Sequence, residues 1–355
     1  MRRRGLRRYK ARMIKRILKV AAINLALLLV LAAAAELLFG TWFSKDPLDQ
    51  LGLPRSTRTI VSAAPLYAGG GDFVYRRDQW GFRGDVDPAK VSILTIGGST
   101  TNQLYLPEDQ TWQQVLERQF RDAGRTDVVV ANAGIDGQST VGHLQALRDW
   151  FPHVPGLKPR FVLAYVGIND TQVSGTWVDT LRHHSFNRIV KQKSALFRLS
   201  RQITGMVVAS RARLRHDRVD YTAAKWTETG AQPVPSGDSN VEQYRQRLKL
   251  MADEIHGMGA VPVFVTQTRG DFKKVGGKLM GMVTETGPNG VDQYNALTPY
   301  NAATREVCRE HGLLCLDLAR DLQFGDGDFY DYLHNSPQGA EKIGRWLYSK
   351  LAGLV

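Results

Sequence analysis

The sequence predicts an α/β fold: a three-layer α/β/α sandwich around a five-stranded parallel sheet, preceded by one N-terminal transmembrane helix. Three observations predict it. The 355 residues are 43% hydrophobic and 23% charged, as in a folded globular chain. Five short apolar runs rich in β-branched residues alternate with amphipathic helical segments after residue 90, which requires parallel strands covered on both faces. One long apolar run lies near the N-terminus.

The N-terminal region combines a basic tail with an apolar segment. Residues 1–19 hold ten Lys or Arg and no acid, which leaves only +3 of the formal net charge of +13 for the remaining residues. This distribution argues against a nucleic-acid partner. Residues 17–43 are almost wholly apolar and reach the ~20 residues that a span requires. The positive-inside rule then predicts a cytoplasmic tail at 1–19 and a signal anchor at 20–43.

Two alternatives to an anchor remain. Ala33, Ala34 and Ala35 resemble the small residues that precede a signal-peptidase cleavage site. A buried core helix is the other alternative, although ten cations beside an alanine-leucine run suit a membrane better. Residues 44–89 contain several Pro and a Gly run, so they are predicted to be a linker and an irregular lead-in. Within it, residues 75–84 are rich in aromatics and Arg and are expected to pack on the domain that follows.

Residues 90–355 form the predicted α/β domain. The expected strands are 91–97, 127–134, 161–166, 261–266 and 313–318, and the expected helices are 109–123, 139–150, 240–258, 295–311 and 337–353. A Gly-rich loop is expected at 270–292. An insertion at 171–239 interrupts the alternation and carries a basic amphipathic stretch at 181–218. This stretch fits a solvated helical insertion, a lid, or a surface that rests on anionic headgroups.

The two cysteines, Cys308 and Cys315, lie seven residues apart across a predicted helix-to-strand turn. A disulfide in an oxidising compartment and a pair of buried free thiols both fit this spacing. Metal binding has little support, because His311 is the only ligand-type residue close by in sequence. We predict neither a metal nor a cofactor.

Polar residues follow the predicted strands where their carboxyl ends meet, the edge at which open α/β sheets bind ligands. Ser99, Gly137 and Asn169 follow the first three strands, and Asp331 and His334 lie after the fifth. Acyl transfer needs a nucleophile, a base, a group that orients the base, and donors for the oxyanion. We predict Ser99 as nucleophile, His334 as base and Asp331 as its orienting acid. The backbone N–H groups of Ser99 and Gly137 and the Asn169 amide are the predicted oxyanion donors.

Seven other histidines compete poorly for the role of base. They fall within predicted helices, the insertion or helix ends, and we give them no role in the site: His143, His153, His183, His184, His216, His256 and His311.

The four blocks resemble the signature blocks of the SGNH/GDSL hydrolases. They are GGST at Gly97–Thr100, NAGIDG at Asn132–Gly137, GIND at Gly167–Asp170 and DYLH at Asp331–His334. The resemblance implies the flavodoxin-like SGNH hydrolase fold and the same site roles. It departs at Gly98, where the first block usually has Asp. The strings WGFRG and GGSTT resemble membrane-tethered bacterial members of the family.

The sequence therefore predicts a membrane-anchored serine esterase that acts through an acyl-enzyme, with an O-acetylated envelope or exported glycan as substrate. The expected partners are this acylated substrate and the membrane, through residues 17–43. The expected location is the bacterial inner membrane, single-pass, with the catalytic domain on the periplasmic side. An O-acyltransferase, a lipase or thioesterase, and a non-catalytic glycan-binding subunit are the alternatives. The acyl chain and the oligomeric state are left open.

Overall fold

The computed structural model describes residues 2–173, 191, 193–200, 203–204, 216–230, 238–284 and 288–355. The chain divides into two compact units, one of Met1–Gly52 with His184–Arg215 and one of Leu53–His183 with His216–Val355. Most of the predicted basic stretch at 181–218 lies outside the described residues.

The smaller unit is built on one long helix, α1 (Arg2–Phe39). Within Met13–Phe39, the most apolar window of 18 residues has a mean hydropathy of 2.4, and none of that window is buried within the protein. Leucines along it are widely exposed, for example Leu28 at 62% and Leu31 at 67%. Exposed apolar side chains on all faces of a helix are typical of a segment surrounded by lipid. This helix is long and apolar enough to cross a membrane.

The end of α1 is joined to residues 194–196 through Glu36. Its carboxylate accepts hydrogen bonds from the Trp42 indole N–H at 2.7 Å and the Ser194 hydroxyl at 2.6 Å. The backbone N–H groups of Ala195 and Leu196 also donate to it, each at 3.1 Å. These N–H groups begin a helical turn and have no partner within it, so the carboxylate acts as its cap.

The larger unit contains the sheets. Its described strands are β1 (Thr57–Ser62), β2 (Asp72–Arg77), β3 (Val91–Gly97), β4 (Val129–Asn132), β5 (Phe161–Tyr165), β6 (Trp226–Thr227), β7 (Val261–Val265), β8 (Phe272–Val275), β9 (Lys278–Met282) and β10 (Leu314–Leu316). Its described helices are α2 (Ser99–Asn102), α3 (Trp112–Asp122), α4 (Thr140–Gln145), α5 (Ser239–Gly257), α6 (Gly290–His311), α7 (Leu318–Asp321) and α8 (Pro337–Leu351).

The central sheet has the strand order β10-β7-β5-β3-β4, and all its pairs are parallel. Thr95 of β3 pairs with Asn132 of β4, and Gly97 pairs with Tyr165 of β5. The carboxyl ends of these three strands therefore lie side by side. All five residues of β5 are buried, as expected for a parallel strand covered on both faces.

Helices cover both faces of this sheet and form its two outer layers. On one face, α3 and α8 pack against Ile93, Leu163 and Val263. Val115 of α3 leaves no room for a side chain at Gly344 of α8, so these two helices approach closely. On the other face, α4, α5 and α6 pack on one another and on the strands. The predicted three-layer sandwich is confirmed.

Two regions differ from the sequence prediction. The lead-in is not irregular throughout, because β1 and β2 form an antiparallel hairpin. The predicted Gly-rich loop contains β8 and β9, and β9 pairs with both β8 and β6 in a small antiparallel sheet of order β6-β9-β8. Most residues of these strands lie at the surface, so their side chains lack the long apolar pattern that identifies core strands.

Helix boundaries also differ in two places. The α6 helix begins at Gly290, five residues before the predicted start, because Asn289 and Asp292 form a capping box. The predicted helix 139–150 is α4 followed by one π-helical turn at Ala146–Trp150. A disulfide links Cys308, in the last turns of α6, to Cys315 of β10, with their Cα atoms 5.9 Å apart.

Candidate active site

Ser99 lies where β3 passes into α2. Gly98 is the N-cap and Ser99 is the first helical residue, so the Ser99 N–H points out of the helix start without an acceptor among the described residues. The space around Gly98 excludes a side chain, because a Cβ there would overlap the Asn169 amide nitrogen and come within 3.2 Å of the Gln138 carbonyl oxygen. This explains why Gly replaces the Asp of the usual family block.

The Ser99 hydroxyl is hydrogen-bonded to His334, with 2.7 Å between Oγ and Nε2. The other imidazole nitrogen, Nδ1, lies 2.8 Å from Asp331 Oδ2. An ionised carboxylate only accepts hydrogen bonds, so Nδ1 carries the proton and Nε2 presents its lone pair to Ser99. The arrangement is that of a serine, its base and the acid that orients the base.

Asp331 is held by several donors. Its Oδ1 accepts the backbone N–H of Leu333 at 2.8 Å and that of His334 at 2.6 Å. Burial alone would raise the pKa of Asp331, but the hydrogen bonds from His216 and His334 hold it well below its usual range. Asp331 is therefore ionised at neutral pH.

Asn169 begins a 3₁₀ turn after β5, and its amide donates to the Gln138 carbonyl at 2.7 Å. Gly137 lies in a turn closed by the Gln138 N–H on the Ile135 carbonyl at 3.1 Å. Its φ of +73° is in the left-handed region that favours glycine. The Gly137 N–H has no acceptor among the described residues. The loops after β4 and β5 thus meet beside the start of α2.

A buried ion pair behind these loops escaped the sequence analysis. Arg247 Nη2 lies 3.1 Å from Asp170 Oδ1, and the two side chains are 0% and 1% exposed. The Arg247 Nε–H donates to Thr140 Oγ1 at 2.6 Å, and the Thr140 hydroxyl and N–H both donate to Asp170. The loop that holds Asn169 is thereby tied to the start of α4. The sequence signal for this ion pair is an Arg on the otherwise apolar face of α5, because a buried Arg needs an acidic partner.

His216, from the insertion, also lies in the site, a position that no pattern in the sequence predicts. Its Nδ1 is 3.2 Å from Asp331 Oδ2, and its ring centroid is 4.5 Å from that of His334. Among the described residues, His216, Asp331 and His334 are the metal-ligating residue types whose ligand atoms converge, within 4.8 Å of one another. Their hydrogen bonds engage these atoms with each other and with Ser99.

Two buried arginines of the lead-in, Arg77 and Arg83, donate hydrogen bonds to the end of α2 and the residues around it. Arg77 donates to the Asn102 side chain at 2.9 Å and to the Gly134 carbonyl. Arg83 donates to the backbone carbonyls of Asn102, at the end of α2, and of Gln103. The lead-in between residues 75 and 84 therefore packs on the domain, as predicted.

Three solved structures illustrate what this chain is similar to in fold. TesA is 16% identical, with a TM-score of 0.44, and the match covers 75% of this chain and 99% of TesA. The psychrotrophic esterase EstA from Pseudoalteromonas sp. is 14% identical, with a TM-score of 0.42, and the match covers 74% of this chain and 97% of EstA. The acetylxylan esterase Axe2 from Geobacillus stearothermophilus is 12% identical, with a TM-score of 0.41, and the match covers 73% of this chain and 93% of Axe2. These are similarities of fold only.

A comparison with family profiles is more informative. No curated protein sequence matches the chain. The profile of the GDSL-like Lipase/Acylhydrolase family matches residues 95–342, well over half of the chain. This range includes all four blocks on which the resemblance rests. The chain therefore belongs to the GDSL-like lipase/acylhydrolase family and is a serine hydrolase that acts on ester bonds.

Proposed function

We propose that this protein is a membrane-anchored esterase that removes O-acyl groups, above all O-acetyl groups, from an envelope or exported glycan. The observation that carries the proposal is the hydrogen-bonded chain Ser99–His334–Asp331 at the carboxyl edge of the sheet. The apolar helix α1 supports the anchor. A glycan is proposed as the substrate because an anchored esterase outside the cytoplasm would meet the glycans of the cell envelope.

The first half of the proposed reaction forms an acyl-enzyme. Ser99 Oγ attacks the ester carbonyl carbon while His334 Nε2 takes the hydroxyl proton. Negative charge collects on the former carbonyl oxygen, where the N–H groups of Ser99 and Gly137 and the Asn169 amide donate hydrogen bonds. The tetrahedral species then collapses. The ester C–O bond breaks, and the imidazolium returns its proton to the departing sugar hydroxyl.

The second half releases the acid. A water molecule attacks the acyl carbon while His334 Nε2 takes its proton, and the same three donors stabilise the second oxyanion. Collapse breaks the bond to Ser99 Oγ, which regains its proton from His334. Asp331 stays ionised throughout and holds the imidazole in the tautomer that faces Ser99. The products are a free carboxylic acid and a sugar hydroxyl.

The proposed location is the inner membrane with the larger unit on the periplasmic side. Residues 1–19 carry ten cations, and segments of this kind stay in the cytoplasm. The Cys308–Cys315 disulfide supports an oxidising compartment for the larger unit. A glycan of the cell envelope would be accessible from there.

The test uses the full chain in detergent micelles with p-nitrophenyl acetate and with acetylated glycans. We expect acetate release to fall by at least ~10³-fold in Ser99→Ala, since the nucleophile is removed. The control is Ser349→Ala, which changes an exposed serine on α8 and should leave activity intact. Hydrolysis that survives in Ser99→Ala would contradict the serine mechanism. Transfer of the acetyl group to an added glycan would instead identify an acyltransferase.

A further inference from the structure

We propose that His216 is a positioning residue of the reaction: a second imidazole that holds the Asp331 carboxylate in place while His334 moves protons. The inference rests on the proposed function, since it concerns the same serine mechanism. It assigns a role to the insertion, because His216 lies within 171–239 and reaches the site from outside the five-stranded core.

The two oxygens of the Asp331 carboxylate face different groups. Two backbone N–H groups, of Leu333 and His334, serve Oδ1. Two imidazoles face Oδ2: His334 Nδ1 is hydrogen-bonded to it at 2.8 Å, and His216 Nδ1 lies 3.2 Å from it. A favourable contact with an ionised carboxylate, which only accepts, places the His216 proton on Nδ1, and the Tyr330 hydroxyl oxygen is then a second acceptor for it. Oδ2 is the oxygen nearer to His334 Nδ1, so the His216 bond restrains the very oxygen that orients the base.

His216 is itself held in place by aromatic neighbours. Its ring centroid lies 4.6 Å from that of Tyr105 and 6.0 Å from that of Tyr330. The Tyr330 hydroxyl oxygen lies 3.2 Å from His216 Nδ1. The Tyr330 ring also stacks on His334, with an angle of 13° between the planes. The rings of His216 and His334 therefore both pack against Tyr330.

The segment that carries His216 is fastened to the Asp331 loop at two further points. The Val219 N–H donates to the Tyr330 carbonyl at 2.8 Å. The hydroxyl of Tyr221, which is 8% exposed, donates to the Asp331 carbonyl at 2.6 Å. Three bonds within six residues bind this part of the insertion to the loop that holds the acid and the base. Such a spacing fixes the His216 ring relative to Asp331.

The expected consequence of losing the His216 donor is a slower chemical step. A carboxylate with one restraint fewer holds the imidazole less precisely, and a misplacement of about 1 Å can cost up to about 10²-fold in rate. We therefore expect kcat to fall by about 10-fold or more while KM is unchanged, because His216 acts through Asp331 and not through the substrate.

The experiment compares His216→Asn with His216→Gln in the full chain. The Asn amide nitrogen occupies roughly the place of Nδ1, whereas the Gln amide lies farther out, near Nε2. We measure kcat and KM for p-nitrophenyl acetate and the rate at which a fluorophosphonate labels Ser99. We expect His216→Gln to be about 10-fold slower in kcat and labelling, and His216→Asn to keep most of both rates. Asp217→Ala, at the exposed neighbouring residue, is the control and should match the wild type.

The outcomes separate this inference from the proposed function. Absence of Ser99 labelling in the wild-type protein would overturn the serine mechanism itself. Wild-type labelling that His216→Gln retains in full would overturn the role of His216 alone. Equal losses in both variants would also overturn it, because the Asn donor would then have no effect. Thermal unfolding midpoints, which should agree among the variants, show that a loss of rate is not a loss of fold.

Discussion

Two buried carboxylates flank the site and have opposite electrostatic surroundings. Asp170, next to Asn169, is paired with the fully buried Arg247, yet burial raises its pKa. Asp331 is also buried, but the donors around it lower its pKa. The partners of Asp170 form a closed network within the protein, whereas those of Asp331 lead to Ser99. A buried acid can thus serve the loop scaffold or the proton chemistry, depending on where its hydrogen bonds lead.

The largest expected effect is the loss of activity in Asp331→Asn, which distinguishes this acid from Asp170. Asp331→Asn should lower kcat by about 10³–10⁴-fold, because an amide can no longer enforce the Nδ1–H tautomer of His334. The fold should persist, since Asn keeps the shape and can still accept the backbone N–H groups. Steady-state kinetics with p-nitrophenyl acetate and circular dichroism check both parts. A kcat near that of the wild type would show that the acid is dispensable.

For Asp170 we expect the main effect of a substitution to be on stability. Asp170→Asn removes the carboxylate partner from a buried guanidinium and should lower the free energy of unfolding by about 3–5 kcal/mol. Urea unfolding of the detergent-solubilised chain, followed by tryptophan fluorescence, measures this. The double change Asp170→Leu with Arg247→Met should recover much of the loss, because it buries no charge. If the single variant is as stable as the wild type, the pair is not a scaffold.

Gly98→Ala probes the loop that Asp170 supports. A methyl group at residue 98 would overlap the Asn169 amide, so this proposed oxyanion donor has to move. We expect kcat to fall by about 10²–10³-fold, the effect of losing one oxyanion donor. Gly257→Ala, where an added Cβ meets no atom within 4 Å, is the matched control. An active Gly98→Ala variant would mean that Asn169 is not a donor.

The smallest expected effect is on how the free energy of unfolding depends on pH. The folded pKa of Asp331 lies below its unfolded value, which is about 3.9. Its contribution to stability is therefore complete above that pH and is lost as pH falls towards the folded pKa. Each unit of difference corresponds to about 1.4 kcal/mol. The free energy of unfolding at pH 3 and pH 6 should differ less in Asp331→Asn than in the wild type. An unchanged difference would contradict the lowered pKa.

Local patterns in the sequence encode the central sheet and the polar residues at its edge. The sheet strands were identified by continuous apolar runs, and Ser99 and Asn169 by polar residues directly after them. The roles of these residues stay predictions, but the structure places Ser99 against His334.

The missed features depend on contacts between residues far apart in sequence. His216 and Asp331 are separated by more than one hundred residues, and nothing near His216 signals their meeting. Arg247, on α5, reaches Asp170 across 77 residues of sequence. The β1–β2 hairpin was missed because its strands are mostly exposed and carry no continuous apolar run. The pairing of Cys308 with Cys315 depends on geometry as well as on spacing.

The central claim is that Ser99, activated by His334 and Asp331, forms the covalent intermediate. The most direct measurement is peptide mass spectrometry of the full chain after reaction with a fluorophosphonate. We predict one phosphonylated residue, Ser99, with labelling lost in Ser99→Ala and strongly slowed in His334→Ala. A label on another residue, or equal labelling in His334→Ala, would contradict it.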